Sequence, residues 1–164
     1  MRRKNEKVSG YTVIYQDVSD RKYFESLATR DELTGLYNRR FYNEVAPVVL
    51  NRARREQNVF VFFLLDVDNF KNINDVHGHD IGDEALISLG NIIKEHIRET
   101  DVFARWGGEE FMLLVETDVN TASKLAENLR LSIAKYTKKN TKIPAFTCSF
   151  GVQSLEGILS LEEA

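Results

Sequence analysis

The sequence contains one cysteine, Cys148, so it cannot form an internal disulfide bond. A chain of 164 residues with a hydrophobic fraction of 43% can bury enough apolar surface to fold without such cross-links. A lone cysteine suits a reducing compartment, and we therefore expect a cytoplasmic location. The length fits one globular domain and leaves little room for a second.

Long hydrophobic runs are also absent. The longest, Val59–Leu65, is far too short to cross a bilayer. The basic residues 1–4 are followed by the polar residues 5–7 and not by an apolar segment, which argues against a secretory signal. We expect no direct membrane contact for this chain, although a longer parent protein could be tethered to a membrane.

An excess of positive charge is the third absence, since the formal net charge is −3. No global positive field draws such a chain toward nucleic acid, and we expect no nucleic-acid partner. If the protein handles phosphate groups, something other than its net charge must neutralise them.

Alternating apolar and turn-forming segments predict an α/β fold, with a central sheet flanked by helices. The continuous apolar run of residues 59–67 predicts a central strand that is buried on both faces. A hairpin around a Gly-Gly turn makes the sheet mixed. The predicted strands are residues 10–17, 59–67, 102–106, 110–115 and 145–154. The predicted helices are residues 19 or 20 to 29, 39–56 after an Asn38 cap, 70–76, 83–98 and 121–138.

Asp66 ends the predicted central strand, and Asp68 follows two residues later. A carboxylate at the end of a core strand costs free energy unless it is solvated, paired or bound to a metal. Capping of the next helix explains Asp68 well but explains Asp66 poorly.

Two further acids, Glu109 and Glu110, come directly after the Gly-Gly turn. Adjacent acids at a turn are ordinarily a solvated edge. If the hairpin pairs beside the strand that ends at Asp66, however, three carboxylates converge at one end of the sheet. A divalent cation relieves their repulsion, and oxygen ligands favour Mg²⁺ or Mn²⁺. Two such ions can activate a hydroxyl and stabilise a leaving pyrophosphate. The ions would thus supply the positive charge that the chain itself lacks.

The segment Asn74–Asp83 is rich in polar and glycine residues. Asp83 could accept hydrogen bonds from the donors of a guanine edge, and Asn74 could both donate and accept. Ordinary turn chemistry explains the same residue types, and composition alone favours it. His77 and His79 could form a metal-binding pair, but their spacing is also typical of loop histidines.

Five segments together match one known family. They resemble the motifs of GGDEF-domain diguanylate cyclases, from roughly Ala28 to the end of the chain. The matching segments are Asp31–Arg40 (DELTGLYNRR), Leu65–Lys71 (LDVDNFK), Asn74–Asp83, Gly107–Phe111 (GGEEF) and Ser149–Val152 (SFGV).

The resemblance implies a fold like the palm of nucleotide polymerases and class III adenylyl cyclases. It implies an enzyme that joins two GTP molecules into cyclic di-GMP across a homodimer and releases two pyrophosphates. Two Mg²⁺ (or Mn²⁺) ions per active site are implied, with Glu109 deprotonating the ribose 3′-hydroxyl and Lys71 stabilising the phosphoryl charge. The implied metal ligands are Asp66, the Val67 carbonyl, Glu109 and Glu110, and the implied guanine-binding residues are Asn74, His79 and Asp83.

Arg98 and Asp101 resemble the RxxD site of the family, where the product binds and arrests the enzyme. An ion pair at a helix end is the alternative interpretation, and such a pair contributes little. The second arginine that often completes this site is not clear, because Asn128 stands near the expected position and Arg130 beyond it.

The resemblance also divides the chain. Residues 1–28 resemble the last strand of a PAS sensor domain and its linker helix, and residues 29–164 resemble the catalytic domain without its C-terminal helix and strand. Two alternatives to an active cyclase remain. One is a non-catalytic module that binds GTP or cyclic di-GMP, and the other is an inactive fragment of the enzyme.

Overall fold

The computed structural model describes residues 29–56, 58–139 and 142–155. Their strands form one sheet in the order β1-β3-β4-β2-β5, in which β1 and β3 are parallel and all other neighbours are antiparallel. The predicted mixed sheet is therefore confirmed, whereas the predicted elements of residues 10–29 lie almost wholly outside the described residues. The strands are β1 (Tyr37–Asn38), β2 (Phe60–Val67), β3 (Val102–Gly107), β4 (Glu110–Glu116) and β5 (Cys148–Ser154).

Helices cover both faces of the sheet, as predicted for an α/β fold. The first helix packs on one face through Tyr42 and Ala46, and the third and fourth pack on the other face through Leu89 and Leu129. Within the described residues, no helix combines the length and the apolar character needed to cross a membrane. The helices are α1 (Arg39–Glu56), α2 (Phe70–His77), α3 (His79–Lys94) and α4 (Val119–Lys139).

Side-chain caps begin two of these helices. The Asn38 side-chain oxygen accepts a hydrogen bond from the Phe41 backbone N–H at 3.0 Å, which confirms the predicted start of α1. Asp118 accepts backbone bonds from Asn120 and Thr121 at 2.9 and 3.0 Å. This cap explains why α4 begins two residues before its predicted start.

The prediction that β2 is buried on both faces is wrong. Alternate residues from Val61 to Val67 are at most 1% exposed, whereas Leu64 between them is 39% exposed. A continuous apolar run gives no information on how far the neighbouring helices extend across each face. The face that carries Asp66 is therefore partly open.

Helix α3 lies four residues earlier than predicted at each end. It begins at His79 after Gly78, whose φ of 87° gives the turn that separates α2 from α3. Gly82 then continues the helix and does not interrupt it. Asp83 consequently lies inside the helix, and Arg98 lies beyond its last residue, Lys94.

Candidate active site

The register between β2 and β4 places the acids of the two strands side by side. Asp66 lies directly opposite Glu110, and the Val67 backbone N–H donates to the Glu109 carbonyl at 3.3 Å. The hairpin therefore pairs beside the strand that ends at Asp66, as predicted. Asp66 and Glu110 share the face of the sheet on which α1 packs, because each is in phase with the residues that contact α1.

The electrostatics of Asp66 reflect this crowding. Partial burial raises the pKa of Asp66, and the carboxylates of Glu109, Glu110 and Asp68 raise it further. A divalent cation between such groups would remove the repulsion and hold them ionised. Among the described residues, no three His, Cys, Asp or Glu side chains lie close enough together to coordinate one metal ion. The carboxylates interact electrostatically without being gathered around one point.

The turn of the hairpin differs by one residue from the prediction. Gly107 pairs with Glu110, so the turn consists of Gly108 and Glu109 and not of the two glycines. Gly108 has a φ of 54°, which glycine adopts without steric cost. The register shifts between Arg105 and Gly107, which is typical of a β-bulge at Trp106. Glu109 is therefore carried on the turn itself.

Asp68 has a structural task that the sequence did not reveal. Its carboxylate accepts hydrogen bonds from the Thr147 and Ser149 hydroxyls at 2.5 and 2.6 Å. Its backbone N–H also donates to the Thr147 carbonyl at 3.0 Å. These bonds tie the end of β2 to the start of β5, so that Asp66 is the acid of this pair that stays available to a ligand.

Arg105 braces the hairpin and was missed in the sequence. Its guanidinium donates to the Gly108 carbonyl at 2.8 and 3.0 Å and forms an ion pair with Asp31 at 3.2 Å. Thr34 also donates to Asp31 through both its backbone N–H and its hydroxyl, at 2.8 and 2.7 Å. The sequence carried one signal, because Arg105 is the basic residue of the otherwise apolar strand β3.

The remaining predicted residues lie on α2 and α3, directly after β2. Lys71 is exposed in the first turn of α2, and Asn74 is half-buried one turn later. His79 begins α3 and Asp83 follows in its second turn, both exposed. Helices α2 and α3 pack against each other, so Asn74 and the start of α3 lie on adjoining surfaces.

Arg98 and Asp101 line a separate pocket of about 460 Å³, together with Arg30 and Lys94. The Arg98 backbone N–H donates to the Asp101 carboxylate at 2.8 Å. Arg130 does not line this pocket and pairs instead with Glu127 on α4 at 2.7 Å. A second arginine of the pocket is thus Arg30, whose guanidinium lies 3.8 Å from the centre of the Tyr37 ring.

Comparison with known proteins identifies relatives of the chain. Residues 28–160 match the family described as "Diguanylate cyclase, GGDEF domain". The diguanylate cyclase DgcM of Escherichia coli K12 is 40% identical over 156 residues, which are 92% of this chain and 37% of that protein. The chain thus spans little more than a third of this curated relative.

Solved structures also resemble the chain. The active GGEEF domain of a diguanylate cyclase from Vibrio cholerae superposes with a TM-score of 0.67 and 35% identity, over 72% of this chain and 76% of that one. A microbial GGDEF domain that interacts with cyclic di-GMP superposes with a TM-score of 0.72 and 29% identity, over 85% of each chain. The resemblance found in the sequence is confirmed, and the chain belongs to the GGDEF-domain family of diguanylate cyclases.

Proposed function

We propose that this chain is the catalytic domain of a diguanylate cyclase, which condenses two GTP molecules into cyclic di-GMP. The observation that carries the proposal is the pairing of Asp66 with Glu110 beside the turn that holds Glu109. Family members depend on divalent metal ions in general. The donor set here fits such an ion, because it consists of carboxylate oxygens; partial burial and the repulsion between these carboxylates both raise the pKa of Asp66.

Asp66, Glu109, Glu110 and the Val67 carbonyl are the residues that would hold two Mg²⁺ or Mn²⁺ ions. When bound, the ions would neutralise the phosphate oxygens and lower the pKa of the attacking hydroxyl. The Asp31–Arg105 brace orients the turn, because Arg105 fixes the Gly108 carbonyl next to Glu109. The chain itself would therefore contribute the oxygen ligands, on two paired strands and on a turn that Arg105 braces.

In the proposed step, the 3′-oxygen of one GTP forms a bond to the α-phosphorus of the other, and the bond to pyrophosphate breaks. Glu109 takes the proton from the 3′-hydroxyl. In a second step of the same kind, the 3′-oxygen of the second nucleotide forms a bond to the α-phosphorus of the first, the bond to its pyrophosphate breaks, and the ring closes. Two copies of the chain are needed because each supplies one bound GTP.

Lys71, in the first turn of α2, would stabilise the negative charge that develops on the phosphoryl group. Asn74 and Asp83 would read the guanine edge, with His79 near the base. This assignment is supported by the packing of α2 against α3 directly after β2.

The pocket that contains Arg98 and Asp101 favours a second role as a binding site for cyclic di-GMP. An arginine can stack on guanine and donate to it, and an aspartate can accept from its N–H groups. We infer that product binding there inhibits turnover. Arg30, which lines the same pocket, supplies a second guanidinium.

Incubation of the full-length protein with GTP and Mg²⁺ tests the proposal, with cyclic di-GMP and pyrophosphate measured separately. We expect two pyrophosphates for each cyclic di-GMP, and loss of both in Glu109→Gln with the circular dichroism spectrum unchanged. Full activity of Glu109→Gln would contradict its assigned role.

The alternative of a non-catalytic binding module predicts a different pattern. Calorimetry would then detect GTP or cyclic di-GMP binding, while no pyrophosphate would form at any protein concentration. A chain that is inactive as given but active in the full-length protein would identify residues 1–164 as an incomplete fragment of the enzyme.

A further inference from the structure

Gly82 stands inside α3 although nothing in its backbone requires glycine. It is absent from the positive-φ residues of the described chain, and its N–H makes a helical bond to the Gly78 carbonyl at 3.2 Å. Glycine in a helix interior costs about 0.5–1 kcal/mol relative to alanine. A local reason for this cost must therefore lie in the surroundings of Gly82.

The surroundings of Gly82 leave no room for a side chain. A Cβ added there would overlap the side-chain oxygen of Asn74 and would lie 3.3 Å from Cζ of Phe70. Gly82 itself is buried. The Asn74 amide thus occupies the space that the Cβ of any other residue at position 82 would need.

This contact matters because little else fixes the Asn74 side chain. Within the described residues, no hydrogen bond orients its amide, and only its backbone carbonyl accepts a bond, from Gly78 at 2.9 Å. The amide is therefore positioned by its packing against the α3 backbone at Gly82. Asp83 is the next residue along α3.

We propose that Gly82 is a positioning residue for guanine recognition, which sets the orientation of Asn74 beside Asp83. The inference rests on the proposed function, since it gives Asn74 a base to bind. In Gly82→Ala the cheapest relief of the overlap is rotation of the Asn74 amide, because this group is the free end of a side chain. The fold should survive, and the base contact should be lost.

Gly90→Ala provides the matched control. It adds the same methyl group to the same helix, but there the nearest atom is Cδ1 of Leu36 at 3.3 Å, in the hydrophobic core. We expect Gly82→Ala to raise KM for GTP about tenfold, the effect of one lost hydrogen bond to a charged or polar group, with kcat within about twofold. Gly90→Ala should leave KM unchanged.

A double-mutant cycle separates positioning from a general effect on the helix. In the Asn74→Ala background the overlapping oxygen is gone, so Gly82→Ala should add less than about twofold to KM. An equal increase in both backgrounds, an unchanged KM in Gly82→Ala, or an equal increase in Gly90→Ala would each overturn the proposal.

A crystal structure of Gly82→Ala, in the full-length protein without nucleotide, tests the inference independently of turnover. A rotated Asn74 amide supports it, and an Asn74 amide that keeps its place beside the new methyl group overturns it. Failure of the wild-type protein to bind or convert GTP would instead count against the proposed function, and the structural result would still decide the role of Gly82.

Discussion

Two carboxylates at the end of β2 have different surroundings. Asp68 accepts hydrogen bonds from Thr147 and Ser149, whereas partial burial and the neighbouring acids raise the pKa of Asp66. At the scale of single residues, an acid with partners contributes to folding, and an acid among like charges is available for a ligand at some cost in stability. The pattern Asp-x-Asp in the sequence did not distinguish them, because the hydroxyls that bind Asp68 come from 79 and 81 positions away and the glutamates beside Asp66 come from another strand pair.

Alanine substitutions test this difference. Asp68→Ala should lower the free energy of unfolding by about 1–2 kcal/mol through loss of the hydroxyl bonds, a Tm decrease of roughly 2–8 °C. Asp66→Ala should leave the Tm in EDTA unchanged or raised, because it removes repulsion. A lower Tm for Asp66→Ala than for Asp68→Ala would contradict the conclusion that Asp68 stabilises the fold and Asp66 does not.

Metal binding gives a second measurement on the same residues. Mg²⁺ or Mn²⁺ should raise the Tm of the wild-type protein, because an ion that binds only the folded state stabilises it. Asp66→Ala should lose this increase, and the exposed Glu44→Ala provides a control that keeps it. A metal-dependent increase that survives in Asp66→Ala would place the ion elsewhere.

At the scale of elements, Arg105 and Asp31 join the loop before β1 to the acidic hairpin. Both side chains are largely buried, at 14% and 23% exposure, in contrast to the exposed pair Arg40–Glu44 on α1. Arg105→Lys should lower kcat more than it changes KM, because a single ammonium cannot reach both Gly108 and Asp31. Arg40→Lys is the matched control, and enzyme assays of both variants measure the effect.

The same pair predicts the response to acid. Burial acts to raise the pKa of Asp31, but hydrogen bonds from Thr34 and the charge of Arg105 outweigh it, so the pKa lies below the ordinary 3.8. A lowered pKa contributes stability that is present above about pH 4 and is lost as the pH falls through the folded-state value. Urea unfolding measured from about pH 5 to about pH 2 should show that the free energy of unfolding falls less for Asp31→Asn than for the wild type. Equal losses would remove Asp31 from this response.

Local sequence patterns predict some of the helices and strand pairings of this fold but not others. The cap of α1, the periodicity of α1 and α4, and the pairing of the hairpin with β2 followed from local chemistry and from one pairing assumption, whereas the Asp118 cap of α4 was not predicted. The bounds of α3 did not, because Gly78 and Gly82 look alike in sequence, although one forms a turn and the other makes room for Asn74. The Arg105–Asp31 pair joins residues 74 positions apart, and no local pattern encodes it.

At the scale of the whole molecule, the proposed reaction needs two copies of the chain. Specific activity should therefore rise with protein concentration and level off where sedimentation shows dimers. Constant specific activity across a range in which the protein sediments as a monomer would contradict the two-copy mechanism.

The proposed product inhibition also belongs to this scale, because the Arg98–Asp101 pocket is separate from the acidic hairpin. Arg98→Ala should relieve inhibition by added cyclic di-GMP without raising the initial rate, and Arg130→Ala, which lies outside the pocket, should not. Progress curves with and without added product provide the measurement. Unchanged inhibition in Arg98→Ala would leave Arg98 with a structural role.

The sole cysteine of the chain is 3% exposed, and its thiol donates to the Asp66 carbonyl at 2.9 Å. Burial and the nearby carboxylates of Asp68 and Asp66 raise the pKa of Cys148 to about 12. We therefore expect a thiol reagent to react with Cys148 when this edge of the sheet opens, so that the labelling rate measures how often it opens. The native Cys148 thus reports local opening of the strand pair next to Asp66, and no additional cysteine has to be introduced for this measurement.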